Sequence, residues 1–343
     1  MLTRRRFVGA ALAAAAMPGT ASAQRRIVVD GAGRRVEVPS QVRRVFAAGG
    51  PASIFVYTLA PDALLGWTRA PTEEERRWLP AKYAQLPTMG RLTGRGNTAN
   101  VEVVLAARPD VVLDFGVIGD TYVSLAERVQ EQTKVPYVLL DGSLGATARA
   151  YTVAGDILGL GEPAAQLARY VERTLTDVDR RVASVPKDRR PSVYYARGPK
   201  GLETAAPGSI NAESLDRLGV RNVASGSGHG LTMVSIEQVL AWDPDVIVTL
   251  DPAFHAGVRR DPAWRSVRAV REGRVHLVPL LPFPWVDFPP SVNRVIGLRW
   301  LGHVLYADAF PAGLRDETRT FYQLFYHRAP DERQLDSLLG AGS

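Results

Sequence analysis

The chain has 343 residues, 46% hydrophobic and 22% charged, which is enough for one large or two medium domains with real cores. It contains no cysteine, so disulfides, thiolate metal sites, cysteine nucleophiles and a lipidated cysteine are excluded. The net charge of +7 includes Arg4, Arg5 and Arg6; without them 39 basic residues face 35 acidic ones with no basic stripe, and no nucleic-acid partner is expected.

The N-terminus opens Thr3-Arg4-Arg5-Arg6-Phe7-Val8, continues through a short Ala-rich run and leaves by Ala21-Ser22-Ala23. A basic start, a weakly apolar middle and a small-x-small exit make residues 1–23 a secretory signal peptide of twin-arginine type, too short to span a membrane. The mature protein is therefore expected outside the cytoplasm, in the periplasm.

Residues 27–30 and 35–38 flank Gly31-Ala32-Gly33 and read as a hairpin. A strand at 45–48 runs into Gly49-Gly50-Pro51, which opens a helix through Leu59, and 63–67 reads as the next strand. A loop rich in Gly, Thr and Asn at 89–100 enters a thirteen-residue stretch, 101–113, that recurs at 236–248 with seven identical positions. Each copy reads as a short helix, a Pro-Asp break that stops it, and an apolar strand buried on both faces. A helix at 120–133 and a strand at 137–140 complete the first series, and strands alternating with helices imply a parallel wound sheet.

From Thr147 the pattern is helical. One helix ends at Leu158-Gly159, and a second starts at Gly161-Glu162-Pro163 with Leu167, Val171, Leu175, Val178 and Val182 at three- or four-residue steps. It runs to about Val185, long enough to bridge two lobes. Strands at 192–196 and 222–224, a helix at 211–218, the glycine-rich loop 225–230, the second repeat copy, a helix at 262–271 and a strand at 275–278 repeat the order of the first half. The aromatic loop Pro282 to Pro290 follows. Ser291 is the expected N-cap of a helix through Tyr306, and an amphipathic helix at 314–326 with a short one after it ends the chain. The fold class is α/β: two wound lobes with parallel sheets, 24–160 and 187–343, joined by one long helix at 161–186, with the terminal helices assigned to the second lobe.

This arrangement, with a glutamate opening the same helix in each lobe, resembles the periplasmic solute-binding proteins of ABC importers for ferric siderophores, haem and cobalamin. The resemblance covers residues 25 to about 308, and its most characteristic element is Glu-x-x-Leu-x-x-x-Pro-Asp-apolar, once per lobe. The tail, through Trp285, Pro289-Pro290-Ser291-Val292-Asn293-Arg294 and the helix after it, resembles a subgroup of iron-complex binders. The resemblance implies that Glu102 and Glu237 dock on arginines of the membrane permease, where two distant carboxylates on one rigid body would set register. It also implies a monomer capturing a small-molecule metal chelate, a ferric siderophore first, with an oxyanion such as molybdate, cobalamin, haem or another chelate open as alternatives.

Ligand sites in wound sheets lie beyond the carboxyl ends of the strands and between domains. The candidates on such loops are Arg197, Arg91 and His229 for anionic or metal-bearing groups and Trp285, Tyr195, Trp67 and Phe115 for flat apolar faces. The five histidines are dispersed and none pairs at zinc spacing, so no protein-held metal or cofactor is expected. Phosphate-loop, dinucleotide and serine-elbow motifs are all incomplete, so no enzyme is expected.

Overall fold

The computed structural model describes residues 24–340 apart from 95, 227–229 and 312. The expected signal at 1–23 and His229 lie outside the described residues. Two strands, β1 (Arg25–Val29) and β2 (Arg35–Pro39), form the expected antiparallel hairpin. The first lobe's sheet is β3 (Val45–Ala47), β4 (Val111–Gly116) and β5 (Tyr137–Asp141), all parallel. The expected strand at 63–67 shrinks to single bridges, Leu64 with Val45 and Trp67 with Thr88. Gly66 is the reason: a side chain there would collide with the Pro87 carbonyl, because another backbone crosses it.

Five strands complete the second lobe's regular structure before the last parallel one: β6 (Ser192–Ala196), β7 (Glu203–Ala205), β8 (Arg221–Asn222), β9 (Leu231–Met233) and β10 (Val246–Thr249), followed by β11 (Val275–Leu277). The sheet order is β11-β10-β6-β8, all parallel. Lobe one has the same order if the Leu64 bridge stands for β8. An antiparallel pair, β7 with β9, is added in lobe two and has no counterpart in the expected order.

The repeat is structural. In lobe one the helix Val101–Ala107 is capped by Asn100, whose side chain accepts from the Val103 amide; in lobe two Ile236–Trp242 is capped by Ser235, which accepts from Gln238. Each cap contributes about 1 kcal/mol. Val104 and Val239 are the buried residue of each helix. The helices do not end in extended backbone as the following proline predicts. Arg108 and Asp243 are left-handed, φ 46° and 40°, and their amides close the last turn by donating to the Leu105 and Val239 carbonyls respectively. The aspartates then pin the lobes' first strands: Asp110 accepts from the amides of Arg43 (2.7 Å) and Arg44 (2.9 Å), and Asp245 from the Ser192 amide (2.8 Å).

Each sheet is buried on both faces. Val45, Val111 and Leu113 of lobe one and Val193, Tyr195, Val246 and Val248 of lobe two face one continuous core. Phe46, Val112 and Tyr137 face a separate outer layer in lobe one, and Tyr194 and Ile247 another in lobe two. The shared core runs along the connecting helix, Gly161–Ala183, whose Leu167, Val171, Leu175, Val178 and Val182 are buried at the expected spacing. At 23 residues it spans about 35 Å.

The terminal helix Leu314–Phe325 reaches beyond its expected lobe, touching Trp285 of the aromatic loop and lobe one alike. Leu314–Phe325 packs on lobe one: Trp78 meets Tyr322 at 5.8 Å, Tyr151 meets Phe325 at 6.1 Å, and the Tyr57 hydroxyl donates to the Tyr326 carbonyl at 2.6 Å. Its apolar stripe fixes which face is buried, and that stripe is covered by lobe-one aromatics, by Tyr170 of the connecting helix and by Trp285 of the aromatic loop. Ser291 also has a different task. The helix Arg294–Leu305 follows Asn293, which makes no side-chain cap, while the Ser291 hydroxyl crosses to lobe one and donates to the Pro51 carbonyl at 2.8 Å.

Candidate functional site between the lobes

The carboxyl edges of the two sheets face each other. Pro51 follows β3 and receives Ser291; Gly142 follows β5, and its carbonyl receives the Arg294 guanidinium. Arg294 is wholly buried and also donates to Ile210 (3.1 Å) and to the Glu213 carboxylate (2.6 Å), which in turn accepts from the Leu144 amide of lobe one (2.8 Å). Burial pushes the Arg294 guanidinium down from its ordinary value, and the Glu213 charge opposes that. This group ties the lobes at the base of the cleft.

The lobe-two wall is a buried polar group at the end of β6. The Arg197 guanidinium pairs with Asp287 and, through Nε, with Glu203 at 3.1 Å. Asp287 is fully buried and also accepts from the Asn211 amide (2.8 Å), the Tyr195 hydroxyl (3.2 Å) and the Phe288 backbone (2.7 Å). Burial pushes its carboxyl up, and Arg197 with these donors pulls it back. Burial works against the Arg197 charge, yet Asp287, Tyr195 and Glu203 hold its guanidinium above its ordinary value. Above Arg197 stands Phe288, ring centre 5.7 Å away, left-handed at φ 61° and 67% exposed. A strained, exposed aromatic ring beside a cleft is a functional signal.

The lobe-one wall consists of donors. The helix Gly50–Leu59 begins at Gly49 without a side-chain cap, and the Gly50 and Ala52 amides have no partner among the described residues. Such amides favour an anion. Thr93 lies against Gly49 and bonds Asp114 at 3.4 Å; Asp114 also accepts from Tyr137 at 3.1 Å. Burial raises the Asp114 carboxyl to about 6, against the pull of these two hydroxyls. Arg91, two residues before Thr93, is half-buried and bonds the Gly96 carbonyl through Nε at 3.0 Å; it has no acidic partner among the described residues. Pro289 closes on Gly50 from lobe two, since a side chain at Gly50 would stand 3.3 Å from its ring.

Of the residues expected at the cleft, Arg197 ends β6 buried against Asp287 and Glu203, and Arg91 lies in the loop that leads to Thr93, bonding Gly96. The aromatic candidates are core residues. Trp285 is fully buried and donates to the Tyr322 hydroxyl at 3.1 Å; Trp67 donates to the Tyr83 carbonyl at 2.8 Å; Phe115 stacks on Phe55 at 4.5 Å; Tyr195 is buried, with its hydroxyl on Asp287 and its ring 5.7 Å from the Arg197 guanidinium. Side chains of strands buried on both faces point into a layer, not along the strand. Thr93 falls in the Gly-, Thr- and Asn-rich loop and Asp287 and Phe288 in the aromatic loop 282–290, whereas no local pattern in the sequence points to Asn211 or Glu203. Glu102 and Glu237 are exposed on their helices. A cavity of about 630 Å³ lies elsewhere, under the N-terminal hairpin between Arg26 and Asp156. It touches neither sheet's carboxyl edge, so the cleft is placed by the facing strand ends instead.

A family model described as periplasmic binding protein matches residues 60–279. A solved ABC transporter solute binding protein from Sulfurospirillum deleyianum is similar at 28% identity and TM-score 0.82, over 91% of this chain and 98% of that one. The molybdate-binding protein MolA of Haemophilus influenzae is 24% identical over 332 residues, 88% of this chain and 91% of that protein. A solved structure of MolA bound to molybdate superposes with TM-score 0.73 at 21% identity, over 89% of this chain and 99% of that one. With a matched model across both lobes, paired parallel sheets and a single connecting helix, the chain belongs to the periplasmic binding protein family and is a substrate-binding component of an ABC importer.

Proposed function

We propose that the cargo is a small oxyanion of the molybdate class, held between the lobes. The carrying observation is the lobe-one side of the cleft, where the Gly50 and Ala52 amides have no partner and the nearby Arg91 has no acidic partner among the described residues. With Trp67, Phe115, Tyr195 and Trp285 in the cores, Phe288 is the exposed large aromatic among the described residues, which is little surface for a large flat chelate. The likeness to MolA over most of the chain supports the same reading. A ferric chelate is the second reading, favoured by the exposed Phe288 ring. In both, the chain is exported through its 1–23 signal, acts as a monomer in the periplasm without a resident cofactor, and docks on the permease through Glu102 and Glu237.

Calorimetry with molybdate, tungstate, sulfate and a panel of ferric chelates tests this. Molybdate or tungstate should bind in the micromolar range or tighter, and Arg91→Ala should weaken it at least tenfold, the scale of one charge-assisted contact. Binding of a ferric chelate with no response to any oxyanion would overturn the first reading and establish the second.

A further inference from the structure

The seven identities between the repeat copies divide in two. Four have a folding reason in both lobes: Val104 and Val239 fill the core, Pro109 and Pro244 are buried, Asp110 and Asp245 pin the first strands, and Val111 and Val246 are buried strand residues. The other three pairs are Glu102 and Glu237, Leu105 and Leu240, Ala106 and Ala241, and all six residues are exposed. Nothing in the fold requires them to match.

Leu105 and Leu240 are 47% and 37% exposed and are among the seven exposed large hydrophobics of the described residues. Each stands three positions after its glutamate, on the same helix face. A single exposed leucine needs no explanation. Two at equivalent positions of two lobes, each beside a carboxylate with no basic partner among the described residues, need a common one. A partner that presents the same surface twice supplies it.

We infer that Leu105 and Leu240, with the small Ala106 and Ala241 beside them, are the apolar half of a two-point docking surface for a two-fold membrane partner. At each point the partner presents a basic side chain to the glutamate and an apolar pocket to the leucine. The charges steer encounter and set register, while the leucines, desolvated on contact, slow dissociation. This rests on the permease-docking reading of the glutamates and adds the residues that hold the contact once it is made.

The test is binding of the full-length mature protein to its permease in nanodiscs, by surface plasmon resonance across a salt series. Leu105→Ser with Leu240→Ser should weaken docking at least tenfold, mostly through dissociation, with an unchanged salt slope and unchanged affinity for cargo. Glu102→Gln with Glu237→Gln should slow association and flatten the salt slope. If the serine variant loses thermal stability, Leu105→Gln with Leu240→Gln keeps the helix propensity and carries the same expectation. Wild-type docking by the leucine variants beside weakened docking by the glutamine-for-glutamate variant overturns this inference and leaves the glutamate reading standing. Wild-type docking by both places the surface elsewhere and overturns both.

Discussion

Arg294→Met removes the cation at the base of the cleft and leaves the rest of the helix intact. The guanidinium is fully buried and reaches both lobes: the Gly142 carbonyl on one side, the Ile210 carbonyl and the Glu213 carboxylate on the other. Methionine fills most of the volume and satisfies none of the acceptors. Two buried carbonyls left open cost about 1–3 kcal/mol each, although some reach other donors after relaxation. Glu213 keeps the Leu144 amide but loses its counter-charge at a half-buried site, and breaking such a pair costs about 3–5 kcal/mol in total. For a chain of this size, each kcal/mol moves the melting temperature by about 1.5 °C, so a loss of about 4–8 °C is expected by circular dichroism. Adding Glu213→Gln should recover part of it, because the stranded charge goes. A melting temperature within about 2 °C of wild type, on the same scale, would refute the placement of Arg294 as the tie between the lobes.

Asp114 gives a pH signature. Its folded carboxyl titrates near 6 because it is buried, against an ordinary value near 3.8. A raised folded value means that the contribution to stability is full below the ordinary value and is lost as pH rises through the folded one. Asp114→Asn should therefore gain stability over wild type between pH 4 and 6 and hold the gain above, to about 3 kcal/mol at most. Urea unfolding at pH 4.5 and 7.5 measures it, and a difference that does not change with pH would count against the buried carboxylate. Gly297→Ala drives a methyl group into the Trp285 carbonyl where the helix Arg294–Leu305 crosses the aromatic loop. It should cost about 3 kcal/mol and blur the near-ultraviolet tryptophan signal. Phe288→Ala, by contrast, removes an exposed ring and should leave the melting temperature nearly unchanged while altering cargo affinity in calorimetry.

The two-lobe plan was legible because it is written twice. Period-3.6 spacing gave the connecting helix to within two residues of its end, and buried β-branched runs gave β4 and β10. Local rules failed where two of them compete. The proline after Arg108 and Asp243 argued for extended backbone, and the unsatisfied last turn of the helix won by taking a left-handed residue. Long-range partners were not legible. The stripe Thr318, Phe321, Tyr322, Phe325 announces a buried face and says nothing of which lobe covers it. The site was half visible for a related reason. Composition marks the loop 282–290 as aromatic, but the direction of Trp285 into the core and of Phe288 into solvent depends on backbone dihedrals three residues apart. Arg197 was found because it ends a strand; its carboxylate partners come from 90 and 6 residues away, beyond any local pattern.

The placement of the helix Leu314–Phe325 has a consequence for how the molecule comes into being. The first lobe is translated early, but the aromatic surface around Tyr57, Trp78 and Tyr151 stays wet until the last part of the chain has been made and has returned from the far lobe. A nascent chain halted near residue 310 would hold two nearly finished sheets and an open hydrophobic flank. A chaperone that binds exposed aromatic surface would find that flank open only in a chain without its last helices.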